Sequence, residues 1–441
     1  MNQLLSPSNF VRFTVDQHEY VYFPGNSIQQ LTNRTIEAYF DACEMGVVND
    51  NILSEKADEI TSALNGRLVF PVMNSDFKQN NAMLTINTTN GCNMACKYCF
   101  APTSKSEIRS ISIETIVKAT NDLLKNYPQV ECYTIYFFGG EPLMRKKFIK
   151  EAVDVIKGIV KRQSKKVKFI MTTNGTLLEQ SIIEFLKREE FHVVLSIDGN
   201  AQHNINRVFR NGKESFSSVI AKIKLLKENN VSMHIRATFN PQMENLIDAV
   251  KFFESLDVVY DYEFTLGSNT NDVQYTRFSK DRLLSLNSEI ESITNYLINK
   301  IEHGEKINCS SFSQKLAFIK NNVIRFFGCE AGRNAMIVDE CGNYYPCQNM
   351  LSFIETRMGD TISGINYNLR DKYKSQLFSE YQKCTNCWAR YLCGGGCQAE
   401  RLMDDSNIET AVCELIKMEW LYALKAYTKL MKFGKSINVT I

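Results

Sequence analysis

Short apolar runs alternate with amphipathic stretches through the middle of the chain. The runs are rich in β-branched and aromatic residues, and the stretches between them carry apolar side chains at helical spacing, as in Phe148–Val160. Parallel strands need crossover connections, so this alternation predicts an α/β fold with a parallel sheet. Six units are too few for a closed eight-stranded barrel, and the pattern therefore predicts a partial, open (β/α)6 TIM barrel. The six predicted strands are Met83–Thr88, Tyr133–Phe138, Lys168–Thr173, His192–Ile197, Val231–Thr238 and Tyr260–Leu266.

The regions on either side of this barrel follow other patterns. Residues 1–80 open with two strand-like runs and continue with two helical patterns and a connector. A long helical pattern leads into a loop-rich region, which ends in a helix over Glu414–Leu430. We therefore predict three domains, at residues 1–80, 81–305 and 306–441. The flanking elements are Phe10–Val15, Tyr20–Phe23, Ser27–Cys43, Ile52–Leu64, Leu68–Asn80 and Asp281–Ile301.

Composition narrows the class of protein. The 441 residues are 44% hydrophobic and 23% charged, with 51 basic and 49 acidic side chains, which gives no indication of nucleic acid or an anionic membrane as partner. No apolar run approaches the ~18 residues of a membrane span, and no signal peptide is recognisable. The expected location is the cytoplasm, where thiols rarely form disulfides. The 14 cysteines, where clustered, are therefore expected to be metal ligands.

The first cysteine cluster is Cys92-x3-Cys96-x2-Cys99, at the end of the first barrel strand. Random placement of the cysteines would produce this spacing with a chance of roughly 1%. Three thiolates can hold three irons of a cubane cluster and leave the fourth iron without a protein ligand, whereas an electron carrier would use four. A zinc site would need a fourth ligand, and the loop contains none.

This motif resembles that of radical S-adenosylmethionine (SAM) enzymes. The resemblance implies a [4Fe–4S] cluster whose free iron chelates SAM, reduced by an external donor of the flavodoxin or ferredoxin type, and a 5′-deoxyadenosyl radical that abstracts a substrate hydrogen. Gly139-Gly140-Glu141-Pro142 resembles the family's GGEP motif, although a simple turn has the same sequence. Arg236 is a further carboxylate-binding candidate, with a structural salt bridge as the equal alternative. The SAM contacts implied by the resemblance are Tyr98, Gly139, Gly140, Glu141, Thr173, Asn174, Ser196 and Arg207.

The C-terminal cysteines resemble the seven-cysteine SPASM domain, which implies two auxiliary [4Fe–4S] clusters. A zinc ribbon is the alternative for the Cys-x2-Cys pair. The resemblance assigns the distal cluster to Cys384, Cys387, Cys393 and Cys413, and the proximal cluster to Cys329, Cys347 and Cys397. Where many relatives have a further cysteine, this chain has Gly332-Arg333-Asn334. The fourth proximal ligand is left open between Cys309, Cys341 and no protein ligand.

Two branches of the family compete. Anaerobic sulfatase maturases begin almost at the first cysteine motif and place an Asp where this chain has Gln348. The N-terminal pattern instead resembles the winged-helix leader-recognition modules of ribosomal peptide maturases, with a simple cap over the barrel edge as the alternative. We therefore expect a maturase that installs a carbon–carbon or carbon–sulfur cross-link in a precursor peptide, with sulfatase-type maturation second and a non-catalytic iron–sulfur carrier disfavoured. The N-terminal strands are expected to pack on the helices that follow them and to leave one edge for a ligand.

Overall fold

The computed structural model describes residues 10–23, 28–31, 81–101, 107–265, 273–375, 377, 379, 381–402 and 406–432. Most of the helical pattern predicted over 27–43, all of that over 52–64 and the connector over 68–80 lie outside these residues. Where the first of those helices was predicted to begin, Ile28–Gln30 forms a strand instead. Within the described ranges, every helix is too short or too polar to cross a lipid bilayer.

A mixed sheet of eight strands forms the centre of the molecule. With strands numbered along the chain, its order is β11 (Tyr344–Tyr345), β10 (Ala335–Val338), then β4 to β9, and β4 to β9 run parallel, each paired with the next. The predicted partial (β/α)6 barrel is thus confirmed, and each strand end lies within two residues of its predicted position. The six strands are β4 Ala82–Asn87, β5 Cys132–Phe138, β6 Lys166–Thr173, β7 His192–Ser196, β8 Met233–Phe239 and β9 Tyr260–Phe264.

Alternation along each strand decides which side chains reach the lumen. In β5, Tyr133, Ile135 and Phe137 are buried against the surrounding helices. Thr134 and Tyr136 point the opposite way and are only half-buried, because the barrel is open on one side. The lumen of this barrel is therefore accessible along its length.

Helices cover the outer face of the sheet and bury the apolar stripes seen in the sequence. In α2, Phe148, Val153 and Ile156 are buried. Side-chain caps begin two of the helices, Ser112 accepting from Thr115 N and Ser279 from Arg282 N. The helices up to the C-terminal region are α1 Ile113–Asn126, α2 Lys146–Arg162, α3 Gln180–Arg188, α4 Phe216–Glu228, α5 Leu246–Ser255 and α6 Lys280–Glu302.

The C-terminal region contains more regular structure than its sequence indicates. Strand β10 pairs in parallel with β4, and β11 returns antiparallel to β10, so this region extends the barrel sheet. A long final helix, α11, packs on α6 and α7. The elements are α7 Ser310–Lys320, β10 Ala335–Val338, β11 Tyr344–Tyr345, β12 Gly359–Asp360, β13 Gly364–Ile365, α8 Tyr367–Ser375, α9 Gln382–Thr385, α10 Arg390–Cys393 and α11 Ser406–Lys432.

The N-terminal strands form a small antiparallel sheet of order β1-β2-β3, with β1 Val11–Val15, β2 His18–Tyr22 and β3 Ile28–Gln30. Its apolar face packs on α11 near the end of the chain. Phe13 and Tyr22 share one buried cluster with Trp420 and Leu424. The sheet therefore gains its stability from a contact some four hundred residues away in sequence.

Candidate functional site

The loop that carries Cys92, Cys96 and Cys99 is held in place by the segment that follows β7. The Ala95 amide donates to the Val208 carbonyl at 2.8 Å, and Arg210 Nε donates to the Cys92 carbonyl at 2.6 Å. All three cysteines are half-buried and line one large cleft. The structure thus brings together the three thiols of the first motif.

Gly139 and Gly140 follow β5, where the backbone passes so close to the start of the cysteine loop that a Cβ atom would not fit. The Gly140 amide donates to the Thr89 carbonyl at 2.7 Å, and the Glu141 amide donates to the Gly91 carbonyl at 2.8 Å. Gly139 has a φ of +138°, and a Cβ atom at Gly140 would overlap the Gly91 carbonyl. The turn is therefore more than a chain reversal, because it fixes the backbone directly ahead of Cys92.

The Glu141 carboxylate braces two strand ends from a fully buried position. It accepts hydrogen bonds from the Leu143 amide at 2.9 Å, the Thr173 hydroxyl at 2.7 Å and the Asn174 amide at 2.8 Å. Burial raises the pKa of Glu141. Glu141 lines the cleft, although the residue as a whole has no exposed surface as the structure stands.

Asn174 connects this brace to the cysteine loop. Its Nδ2 donates to Asn93 Oδ1 at 2.9 Å and lies 3.8 Å from the Cys92 sulfur. Both Thr173 and Asn174, which the resemblance named as cofactor contacts, line the cleft. Their placement makes the orientation of Cys92 dependent on Glu141.

A second buried network contains Tyr98 and Arg207. Arg207 Nη1 donates to the Tyr98 hydroxyl at 2.7 Å, the Tyr98 hydroxyl donates to Asp198 Oδ2, and Arg207 lies 3.8 Å from Asp198. Burial raises the pKa of both Tyr98 and Asp198. The Arg207 Nε is buried and has no acceptor among the described residues, although the guanidinium and Ser196 both line the cleft. A buried charged donor without an acceptor could bind an anionic group that enters the cleft.

Asp198 was not predicted as a site residue. It is fully buried and also accepts from the Thr238 amide at 3.0 Å, which ties β7 to β8. Its position two residues after a strand that ends in Ser196 was the available signal. A carboxylate there without a cation nearby would be costly to bury, and Arg207 supplies that cation.

Burial makes the first three thiols dependent on a bound cation for their deprotonation. Burial raises the pKa of Cys92 to about 11 and that of Cys96 to about 12, so they remain protonated at neutral pH unless a cation binds them. No group of three or more His, Cys, Asp or Glu side chains in the described part of the chain converges closely enough to hold one metal ion. That finding gives no support to the zinc alternative.

The cleft has a volume of about 1680 Å³ and runs through the lumen. Cys92, Cys96 and Cys99 line it together with Cys329 and Cys397 of the C-terminal region. Small-molecule sites typically measure about 300–1,000 Å³, so this cleft has room for a cofactor and for part of a larger substrate.

Arg236 lies in the wall of this cleft as part of an ion-pair network. Its guanidinium donates to both Asp261 oxygens at 3.0 and 2.9 Å, and it lies 3.1 Å from Glu263. The salt-bridge alternative is therefore correct for this residue.

Backbone contacts assemble the proximal cysteine set. The Gly332 amide donates to the Pro346 carbonyl at 3.3 Å, which brings the segment after Cys329 next to Cys347. Gly328 lies so close to Gly396 that a Cβ would overlap the Gly396 carbonyl. Cys329, Cys347 and Cys397 thus converge on one region, and burial raises the pKa of Cys347 to about 12.

The distal set gathers where α11 meets the preceding loops. The Cys387 amide donates to the Cys384 carbonyl at 3.1 Å, and Cys393 ends α10. Burial, and with a smaller effect the neighbouring Cys384 and Cys413, raise the pKa of Cys393 to about 12. The four predicted distal ligands are therefore close together.

Neither cysteine considered as the fourth proximal ligand lines the cleft. Cys309 is fully buried at the start of α7, with its sulfur 3.5 Å from the Ser311 hydroxyl. Cys341 is exposed in the turn between β10 and β11, at the opposite end of that hairpin from Cys347, and lies 3.6 Å from Arg109. A carboxylate that the sequence analysis missed, Glu400, lies beside Cys397, and burial raises its pKa to about 8.

Comparison with known proteins shows which family model and which relatives this chain resembles. Residues 86–253 match the model of the Radical SAM superfamily. A cysteine-type anaerobic sulfatase-maturating enzyme from Clostridium novyi is 26% identical over 349 residues, which cover 73% of this chain and 88% of that protein.

Two solved structures share the fold. Native anSMEcpe with bound AdoMet has a TM-score of 0.66 at 20% identity and covers 79% of this chain and 99% of its own. Streptococcus suis SuiB bound to precursor peptide SuiA has a TM-score of 0.53 at 15% identity and covers 91% of this chain and 97% of its own.

Proposed function

Since this chain is an enzyme built around a radical SAM domain, we propose that it installs a carbon–carbon or thioether cross-link in a ribosomally made precursor peptide. The cofactors of such a domain are a [4Fe–4S] cluster and S-adenosylmethionine. When bound, they supply a 5′-deoxyadenosyl radical that removes a hydrogen atom from the substrate. An external one-electron donor of the flavodoxin or ferredoxin type and a cytoplasmic location complete the proposal.

The residues around the first cysteine loop take defined roles in this proposal. Cys92, Cys96 and Cys99 hold the cluster, and the Glu141 brace fixes the loop against β5 and β6. Arg207, whose Nε has no acceptor among the described residues, would bind the cofactor carboxylate through a charge-assisted hydrogen bond. The remaining SAM contacts are Tyr98, Gly139, Gly140, Thr173, Asn174 and Ser196.

The observation that carries the proposal is the single cleft that connects the two cysteine-rich regions. Forming one cross-link removes two hydrogens from the peptide. The radical accepts one as a hydrogen atom, and the other leaves as a proton and an electron. Auxiliary clusters held by Cys329, Cys347 and Cys397 and by Cys384, Cys387, Cys393 and Cys413 would accept that electron. Residues of both regions are within reach of one peptide segment in the cleft.

The N-terminal sheet supports a peptide rather than a folded protein as substrate. The likeness to SuiB extends over 91% of this chain, and SuiB was solved with its precursor peptide. The Leu31 amide donates inward to the Glu19 carbonyl, and strand alternation then directs the Gln30 amide outward. We propose that a leader segment adds to this outer edge of β3.

The central experiment follows a peptide by mass spectrometry. The reconstituted enzyme, SAM and dithionite are incubated anaerobically with the small peptide encoded beside its gene. Loss of two hydrogens with no hydrazide-reactive aldehyde supports a cross-link. An aldehyde formed on a Cys-containing sulfatase peptide would instead establish the second candidate, formylglycine formation, which is favoured by the similarity to the Clostridium novyi enzyme.

A Cys92/Cys96/Cys99 triple Ala variant tests whether the protein is an enzyme or a non-catalytic electron carrier. It should lose about four irons and all cleavage of SAM, because the remaining clusters do not bind the cofactor. Cleavage retained in that variant would remove the assignment of this loop.

The leader site is tested with Gln30→Pro, and Gln30→Ala serves as the matched control. Proline removes the outward amide, and an edge strand tolerates it. Peptide turnover should fall in Gln30→Pro alone, while uncoupled cleavage of SAM stays constant in both. Equal peptide turnover in the two variants would favour the cap alternative for residues 1–80.

A further inference from the structure

Glu400 is a buried carboxylate that forms no ion pair with the described residues. Its residue is 6% exposed, and its Oε2 has no hydrogen-bond partner among the described residues. An unpaired buried carboxylate is costly unless a cation or several donors compensate for it. Such an atom at the wall of a cleft indicates a group that binds there.

Arg401, the basic residue that follows Glu400 in the sequence, is engaged elsewhere. Arg401 Nη2 lies 3.4 Å from the Cys384 sulfur and also donates to the Gly395 carbonyl, while its guanidinium stacks on the Tyr381 ring at 3.4 Å. Its charge acts on Glu400 only at a distance. Among the described residues, Glu400 is therefore left to be neutralised by a proton or by a cation that a ligand brings.

The carboxylate lies beside two of the three proximal cysteines. It is within hydrogen-bonding reach of the Cys397 thiol and interacts electrostatically with Cys347. Both Glu400 and Cys397 line the cleft, next to Cys329. Once iron replaces the thiol proton, carboxylate and thiolate would repel each other unless metal lies between them.

The stretch in which relatives have another cysteine cannot easily supply one. Gly332 has a φ of +70°, and a Cβ there would lie 2.6 Å from the Tyr373 Cβ. The Arg333 guanidinium covers the Phe327 ring at 3.1 Å. Cys309 is fully buried beside Ser311, and Cys341 is exposed beside Arg109, at the opposite end of the β10–β11 hairpin from Cys347. The fourth position of this set therefore requires a donor from another segment.

We propose that Glu400 is the fourth protein ligand of the proximal auxiliary cluster, beside Cys329, Cys347 and Cys397. A carboxylate oxygen is an established donor to iron, and one carboxylate carries the same charge as the cysteine it replaces. The cluster is then closed by the protein, and substrate does not bind its iron. This inference rests on the proposed assignment of the three cysteines to one cluster.

The test uses the full-length Cys92/Cys96/Cys99 triple Ala protein, reconstituted anaerobically with ⁵⁷Fe, so that only auxiliary clusters contribute. A further Cys347→Ala change should remove about four irons. If iron content stays constant in that variant, the cysteine assignment has failed, independently of Glu400.

Glu400 is then examined with ¹³C-cyanide as a probe of an open iron, by pulsed EPR. The parent should show no ¹³C coupling, and Glu400→Ala should either gain it or lose about four irons. Glu400→Cys should restore a closed, fully loaded cluster. Glu330→Gln, an exposed carboxylate beside Cys329, is the control and should match the parent.

Three results would contradict the assignment of Glu400 as a ligand. Cyanide coupling to the proximal cluster of the parent would show an open iron and overturn the proposal. So would identical spectra for the parent and Glu400→Ala, or a cluster lost in Glu400→Ala that Glu400→Cys does not recover.

Discussion

The buried Glu141 carboxylate gives a direct test of how the first cysteine loop is positioned. Glu141→Gln keeps the shape of the side chain but replaces one acceptor oxygen with an NH₂ group. If the remaining oxygen keeps its bonds to Leu143 and Thr173, the new amide faces the Asn174 N–H, donor against donor. The substitution therefore removes a hydrogen bond that no water can replace, because the site is fully buried.

The expected cost follows from two contributions. A hydrogen bond to a charged group contributes about 1.5–3 kcal/mol, and a buried donor left unpaired costs about 1–3 kcal/mol. Together they give about 3 kcal/mol for local opening, which corresponds to roughly a hundredfold faster amide exchange. Because Asn174 also contacts the Cys92 sulfur at 3.8 Å, affinity for SAM should fall as well.

The measurement is anaerobic hydrogen–deuterium exchange of a peptide that spans residues 170–176. Thr173→Ser keeps the hydroxyl that donates to Glu141 and is the control, with exchange expected within a few-fold of the parent. Unchanged exchange in Glu141→Gln would refute the brace. Loss of SAM affinity without faster exchange would mean that the side chain contacts the cofactor instead.

Three further predictions concern other parts of the chain. Trp420→Ala should cost about 3–5 kcal/mol and expose the Phe13 strand to limited proteolysis, and continued protection there would contradict the observed packing. Burial lowers the pKa of His234 to about 4, so the folded protein stays neutral there while the unfolded chain gains a proton. The free energy of unfolding should therefore fall by about 3 kcal/mol from pH 6.5 to pH 4, and urea titrations of His234→Gln should lack this loss. Gly140→Ala should reduce iron loading because its Cβ overlaps a carbonyl, whereas Gly158→Ala within α2 should leave iron content unchanged.

Local sequence patterns determined the barrel and the main cysteine sets. Period-two strands such as β5 and the apolar stripe of α2 are complete within windows of seven to seventeen residues, so their faces can be predicted without tertiary contacts. The Cys92 loop is equally local, because its three thiols lie within eight residues. Thr173, Asn174 and Ser196 were named as cofactor contacts by the family resemblance, and their role stays a prediction.

Long-range packing determines the features of the fold that no short sequence window can predict. Strands β10 and β11 have only four and two residues, and they exist because β4 offers a free edge, fixed by contacts such as the Tyr127 hydroxyl to the Arg333 carbonyl at 2.6 Å. The partner of the N-terminal sheet is likewise α11. Its role as a winged-helix-like leader module stays a prediction, as do the domain boundaries.

In the candidate site, too, some features follow from local sequence and others depend on long-range packing. Spacing identified the cysteines, since a cluster needs several thiolates on short loops whatever the rest of the fold does. The roles of Glu141, Asp198 and Glu400 depend on burial and on which donors surround each carboxylate, and those are properties of the folded chain. The sequence around a carboxylate does not show which donors will surround it in the folded chain. Only the packing of distant segments shows that Glu141 has three donors and that one Glu400 oxygen has none among the described residues.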